Sequence, residues 1–422
     1  MSNQLIYCTI SYPFESRHYW KEIEIIELAK SYDTVLVVPF CSSYTNLKSY
    51  RNFPKNVKIY RPILNSDTGK SKYCRCLFWI LFGKRRKIYR NDFLRNKVYK
   101  SLETLKSWFV FSAYQEIGLQ SKTYSELTTV LDSQTDILYY WGRNNFFIPL
   151  VRSKSWRRSI LRLHGADIYH ERHKNHYLPF REELYGKMDY ILNISEHGKN
   201  YINNRFGAEI GEKCLVHYLG GLRIGKSTFR GDRQRLKIVS CSYVSEVKRV
   251  HLIIEILTYL NIEVDWVHIG RAANDSSENL MSKLKEVAHA KLDSSNVNYD
   301  FLENYKMKEV PNYLAENHVD LFINVSYSEG LPVSIMEAFG AGIPVIAPDI
   351  GGISEVVISN YNGYLIDRDF NPAEVASIIE KFSNLAEDDV ECMRQNAFAI
   401  FDDKLDIYKN TNRLSKLLVK TS

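Results

Sequence analysis

Residues 320–357 read DLFINVSYSEGLPVSIMEAFGAGIPVIAPDIGGISEVV. The run Leu321–Val325 is short and apolar, as a strand buried on both faces of a parallel sheet must be. The loop SYSEGL follows, and Pro332 suits the first turn of a helix over Ser334–Gly340, after which Pro344–Ala347 reads as a further strand. The loop thus sits at the carboxyl end of a strand and faces a helix N-terminus, the place where doubly wound sheets hold ligands.

Outward from this stretch the same alternation recurs through the chain, in two blocks. The first block has candidate strands at Leu5–Ile10, Thr34–Pro39, Val57–Tyr60, Asp136–Trp141, Ser159–His164, Tyr190–Ile194 and Leu215–Tyr218, with a helix over Tyr19–Ser31. The second adds Lys237–Cys241, Val264–Ile269, Val297–Leu302 and Tyr364–Ile366, with helices over Val250–Leu260, Asn279–Ala290 and Lys306–Glu316. Residues 223–235 are polar and lack apolar periodicity, so they read as a linker between domains 1–222 and 236–401. The stretch Asp402–Lys420 reads as a closing helix, able to pack back on the first domain. A chain of 422 residues with 45% hydrophobic and 25% charged residues fills two ordinary cores and is neither disordered nor fibrous.

The SYSEGL loop has the chemistry of a ligand site. Glu329 lies in the loop and Glu337 eight residues on, inside the helix, so two carboxylates can meet different parts of one elongated ligand. The amides of Gly330 and Leu331 at the helix start suit phosphate oxygens. Two solvated glutamates on an amphipathic helix would give the same spacing. Lys248 and Arg249 pose a parallel choice, between a solvated pair and an anion site, since two cations at a helix N-terminus oppose its dipole unless an anion binds there.

The flanks add a resemblance. SEGLPVSIMEAFGAGIPVIAPDIGGISEVV resembles the donor-binding segment of the retaining glycosyltransferases known as family 4, including the GIPVIA strand and the GG-x-x-E turn. Similarity continues through SCSYVSEVKRVHLIIEIL at Ser240–Leu257, DWVHIG at Asp265–Gly270, and RLHGADIYHERHKNHYLPF and DYILNISEHGKNYI in the first block. The last two look like a branch that builds bacterial surface polysaccharides such as lipopolysaccharide or capsule. The resemblance implies the glycosyltransferase B fold, two Rossmann-like α/β domains facing a cleft. It further implies transfer of a hexosyl group, with retention, from a UDP- or GDP-linked sugar to a growing, lipid-linked polysaccharide.

It also implies roles for single residues. Lys248 takes the place of the lysine that binds the donor diphosphate, and Glu329 and Glu337 position the sugar and the ribose. His164, with Gly165 and Asp167, matches an HG-x-D element beside the donor sugar, and Gly220 and Gly221 lie in the HYLGGL connection, where a ligand approach or a simple turn both fit. The chain departs from the pattern twice. Tyr243 stands where many members have an arginine, with Arg249 a candidate for the missing charge, and SYPFES replaces a glycine-rich loop, making Tyr12 and Arg17 candidate acceptor contacts. With no DxD-like loop in the expected place, cations and helix amides are expected to carry the leaving diphosphate, with no metal or other cofactor.

Charge points to a partner. Residues 1–235 hold 39 Lys and Arg against 21 Asp and Glu, whereas residues 236–422 hold 17 against 28. Much of the excess falls in Lys70–Lys100, KSKYCRCLFWILFGKRRKIYRNDFLRNKVYK, with eleven basic residues and one acid, Asp92, around the apolar run Leu77–Phe82. Such a stretch suits an anionic membrane surface, although a solvated loop has the same composition. Nothing matches a nucleic-acid-binding pattern. Seven scattered cysteines without paired CxxC motifs fit free thiols, and the amino terminus lacks the basic and apolar regions of a signal peptide. Together these imply a cytoplasmic protein, peripheral on the inner face of the cell membrane. Two alternatives stay open: a nucleotide-sugar epimerase or hydrolase of the same fold, and a non-catalytic membrane-bound scaffold with a vestigial nucleotide site.

Overall fold

The computed structural model describes residues 3–14, 19–42, 53–65, 71–140, 156–227, 235–273, 278–293 and 295–420. Its chain divides into two compact units, Met1–His217 with Thr411–Ser422, and Tyr218–Asn410.

The main sheet of the first unit has, among the described residues, seven strands: β1 (Gln4–Thr9), β2 (Thr34–Pro39), β3 (Val57–Ile59), β4 (Thr135–Tyr140), β5 (Arg158–Arg162), β6 (Tyr190–Asn193) and β7 (Cys214–Val216). All pair in parallel, in the order β3-β2-β1-β4-β5-β6-β7. In β1 and β2 every residue after the first is buried, which is why both read as unbroken apolar runs. Helix α1 (Tyr19–Leu28) returns the chain from β1 to β2. The connection from β3 to β4 holds four further α-helices among the described residues, α2 (Ser71–Phe82), α3 (Arg86–Arg95), α4 (Leu102–Leu119) and a shorter one over Lys122–Thr129.

The second unit has six parallel strands: β8 (Leu236–Cys241), β9 (Val264–Ile269), β10 (Val297–Leu302), β11 (Leu321–Ile323), β12 (Val345–Pro348) and β13 (Gly363–Ile366). Their order is β10-β9-β8-β11-β12-β13. The chain runs outward from β8 on one side, then returns to its other side at β11, so the strand order reverses between β8 and β11. Trp266 of β9 is fully buried in this core, and its indole N–H donates to Ser240 Oγ at 3.0 Å, which in turn meets His268 Nδ1 at 2.9 Å. A buried indole needs such an acceptor, since an unmet N–H costs about 1–3 kcal/mol. Helices α5 (His251–Leu257) and α6 (Val333–Gly340) follow β8 and β11.

The strands expected from the sequence match these thirteen to within one or two residues, and the fold is two Rossmann-like α/β units. Differences lie between the strands. Residues 223–227, which composition places in a linker, are strapped to the second unit: Ser227 N–H donates to Ala341 O, its hydroxyl to Asn317 O, and Arg394 donates to Ser227 O. The rest of that linker, 228–234, lies outside the described residues. The closing helix starts later than its apolar rhythm suggests, as α7 (Ile407–Lys420), after a π turn over Phe401–Leu405. Its buried Ile407, Thr411, Leu414 and Leu418 recur at helical spacing, and from Thr411 onward it belongs to the first unit.

Candidate functional site

β8 and β11 lie side by side in parallel, with Ile238 opposite Leu321, and both end at the reversal of strand order. Both strands give way there to loops, at the position where doubly wound sheets hold ligands. After β8 the chain passes through a 3-10 turn, Glu246–Lys248, and after β11 through 324–332 into α6. The Tyr327 N–H donates to Val247 O at 2.8 Å and ties the two loops together.

Between these loops Lys248 Nζ and Glu329 Oε1 form an ion pair, with Glu329 only 8% exposed. Glu337, on α6, is buried, and it lies close enough to Cys241, the last residue of β8, to raise its thiol pKa beyond what burial does, while Lys248 lowers it. Charges on α6 and on the loop after β8 thus both reach the Cys241 thiol, and the second of them is paired with Glu329. Pro332 is the N-cap of α6, which turns the helix start toward Gly330 and Leu331, both buried.

Gly351 explains how the loop is held. Its φ of +57° lets Gly352 N–H donate to Gly330 O at 2.6 Å, while a Cβ at Gly351 would stand 2.2 Å from Glu329 O. Only glycine fits both demands.

Arg249, a candidate for the diphosphate, is held by carbonyls of the chain itself. In a left-handed conformation, φ 48°, it donates Nε to Val325 O at 2.8 Å and Nη2 to Arg368 O at 2.7 Å and Ser326 O at 3.4 Å. The Tyr327 and Phe370 rings lie 5.5 and 5.3 Å from its Cζ. The guanidinium serves as a strut for the Glu329 loop, beside Lys248 rather than in parallel with it. Sequence reasoning missed these partners, and it missed Tyr327 and Cys241, because nothing local marks contacts made across more than seventy residues. Tyr243 is half-buried, its hydroxyl 4.0 Å from Met307 Sδ.

Gly220 permits a close approach, but to the chain itself. At φ +102° its Cβ would stand 2.6 Å from Ile407 Cα, and Gly221 N–H donates to Leu405 O.

In the first unit, half-buried His164 follows β5 and caps a short helix, Gly165–Ile168, in which Gly165 is buried. Asp167 Oδ2 accepts the His164 N–H at 3.2 Å, and its Oδ1 lies 3.9 Å from Arg181, both groups almost fully buried. Two residues before His164, fully buried Arg162 meets Glu24 at 3.0 Å and His217 Nδ1 at 2.9 Å. Tyr12 is buried, its carbonyl accepting from Thr9 Oγ1, whereas Arg17 lies outside the described residues. Among the described residues no three His, Cys, Asp or Glu side chains gather as metal ligands.

Residues 228–399 match the family model of glycosyl transferases group 1. In Escherichia coli (strain K12) the protein named "Putative colanic acid biosynthesis glycosyltransferase WcaL" is 24% identical over 245 residues, 54% of this chain and 55% of that one. A second Escherichia coli relative, "UDP-Gal:alpha-D-GlcNAc-diphosphoundecaprenol alpha-1,3-galactosyltransferase", is 27% identical over 112 residues, 26% of this chain and 27% of that one. The chain spans little more than half the length of the curated relatives it matches most extensively. Among solved structures, Anabaena Alr3699/HepE in complex with UDP-glucose superposes with a TM-score of 0.62 at 15% identity, over 99% of both chains. That likeness, with the two parallel sheets, shows the glycosyltransferase B fold.

Proposed function

We propose that this chain is a retaining glycosyltransferase that moves a hexosyl group from a nucleotide sugar to a growing, lipid-linked polysaccharide of the bacterial surface. The observation that carries the reading is the Lys248–Glu329 pair beside Glu337, held where the second sheet reverses its strand order. A partly exposed lysine paired to a carboxylate is a site in which an anionic ligand can displace the carboxylate from the lysine. The group 1 domain match, relatives named for colanic acid and lipid-diphosphate acceptors, and a UDP-glucose-bound structural neighbour support the same chemistry.

In the reaction, the bond between the sugar C1 and the diphosphate oxygen breaks and one from C1 to an acceptor hydroxyl oxygen forms. The acceptor's proton goes to the departing phosphate, so no enzymic base is required. Lys248 and the Gly330 and Leu331 amides stabilise the charge that grows on the diphosphate. Freed from Lys248, the Glu329 carboxylate holds sugar hydroxyls, and Glu337 holds those of the ribose, which fixes C1 for attack. By the same resemblance we assign His164 and Gly165 to the donor sugar, and Tyr12 and Arg17 to the acceptor. These steps call on no metal or cofactor, and the enzyme works in the cytoplasm at the membrane face.

The test is a screen of nucleotide sugars with a membrane lipid extract, reading release of the free nucleotide and label transfer to lipid. Glu337→Ala should lower kcat/KM by about 10–100-fold, as loss of charge-assisted hydrogen bonds does. Release of free sugar without an acceptor would instead support a hydrolase. Nucleotide binding without turnover, unaffected by Glu329→Ala, would support a scaffold.

A further inference from the structure

The basic run of the first unit is built differently from a solvated loop. Helix α2 packs against α4, and Cys76 and Ile80 within it and Gly83 just after it, four and three residues apart, are buried. On the opposite side Leu77, Phe78, Leu81 and Phe82 are 46%, 61%, 50% and 65% exposed, with Trp79 at 47% on the flank. Phe78 stacks on both Trp79 and Phe82, so the aromatic rings form one continuous patch. Five adjacent large apolar side chains open to water are far from the scattered single residues of an ordinary surface.

What surrounds the patch identifies its occupant. Directly after it, Lys84, Arg86, Lys87 and Arg90 are all exposed, and Lys97 and Lys100 follow. The single acid of the run, Asp92, is turned inward, accepting from the Tyr177 hydroxyl at 2.5 Å and the Phe180 N–H at 2.9 Å. Glu116 of α4 is likewise buried, held by Tyr89 and Arg85, and exposed Glu182 is paired with Arg95. These three carboxylates are therefore turned inward or already paired. Among the described residues no helix is long and apolar enough to cross a membrane.

We propose that α2 lies in the plane of an anionic lipid bilayer, with Leu77, Phe78, Leu81 and Phe82 inserted among the acyl chains and Lys84, Arg86, Lys87 and Arg90 at the headgroups. Trp79 marks the boundary, where its ring meets both phases. A second copy of the chain would cover the aromatic patch but would bring the same cations face to face, and a neutral protein partner would leave them unused. This inference does not depend on the transferase reading, since vesicle binding needs no sugar donor.

The full chain is sedimented with vesicles of phosphatidylglycerol and phosphatidylcholine, and with phosphatidylcholine alone. Partition should favour the anionic vesicles, weaken at high salt, and fall about 100-fold in Arg86→Glu/Lys87→Glu/Arg90→Glu. Phe78→Ser/Phe82→Ser should lose binding at unchanged charge. Lipids brominated on the acyl chain should quench the wild-type protein more than Trp79→Phe, which reports insertion directly. Equal binding to neutral vesicles, no effect of the charge substitutions, or no quenching of Trp79 overturns the proposal. So does a dimer in light scattering that the Phe78→Ser/Phe82→Ser chain fails to form. Should that variant not fold, the charge variant, altered only at exposed positions, carries the test.

Discussion

Replacing Gly351 by alanine places one methyl group where the structure has no room. The built Cβ stands 2.2 Å from Glu329 O and 2.8 Å from Gly330 O, both backbone atoms, at a φ of +57°. Ordinary contact would begin near 3.4 Å, so the two loops must part by about 1 Å, and the left-handed conformation adds about 1 kcal/mol of strain. With the displaced packing, a total near 2 kcal/mol is expected, a fall of roughly 4–8 °C in Tm for a unit of this size. Function should suffer more than stability, because the displaced backbone carries Glu329: a misplacement of about 1 Å costs roughly 100-fold in rate. Differential scanning calorimetry and donor turnover on the same preparation give both numbers. Gly225→Ala is the control, since its Cβ would meet only Ala315 Cβ at 3.8 Å. A Gly351→Ala protein with wild-type Tm and turnover would refute the claim that this turn clamps the loop.

Two further predictions concern stability. Asp136 is fully buried in β4 and accepts from Tyr32, Arg157 and Arg158, so Asp136→Ala strands two cations and should cost about 3–5 kcal/mol in urea unfolding of the first unit. A loss under about 1 kcal/mol would show that the cluster contributes nothing net. Burial draws His170 and His268 down to about 4. Unfolded histidine takes up its proton near 6.5 and the folded residues only near 4, so stability is full above about pH 6.5 and declines as pH falls through that window. Urea midpoints at pH 7 and pH 5 check this, and coincident values would mean that neither ring is held neutral by the fold.

The sheets were legible because parallel strands are buried on both faces, and runs such as Val35–Val38 or Leu321–Ile323 leave no other reading. Spacing and resemblance together single out Lys248, Glu329 and Glu337, and the structure pairs the first two. What escaped was set by distant partners. Arg249 is written beside Lys248 yet belongs to carbonyls at 325 and 368, and Asp92 stands within a cationic run yet is claimed by Tyr177 and Phe180. The 3.6-residue rhythm of α2 was hidden because its solvent side is as apolar as its buried side, which erases the contrast that periodicity needs.

The last helix sets an order of events on the ribosome. Arg158 is capped by Leu418 O, Ser31 meets Ser415, and Leu414 and Leu418 are fully enclosed, all within the unit that begins at the amino terminus. The unit made first therefore lacks a piece of its own core until residues 218–410 have been translated, a wait of roughly 10–40 s at about 5–20 residues per second. The second unit, continuous in sequence, can finish on the nascent chain, while the first waits with an open seam and with the aromatic edge of α2 already outside the exit tunnel. Loss of residues 411–420 would accordingly injure the first unit, although residues 218–410 of the chain separate them from the rest of it.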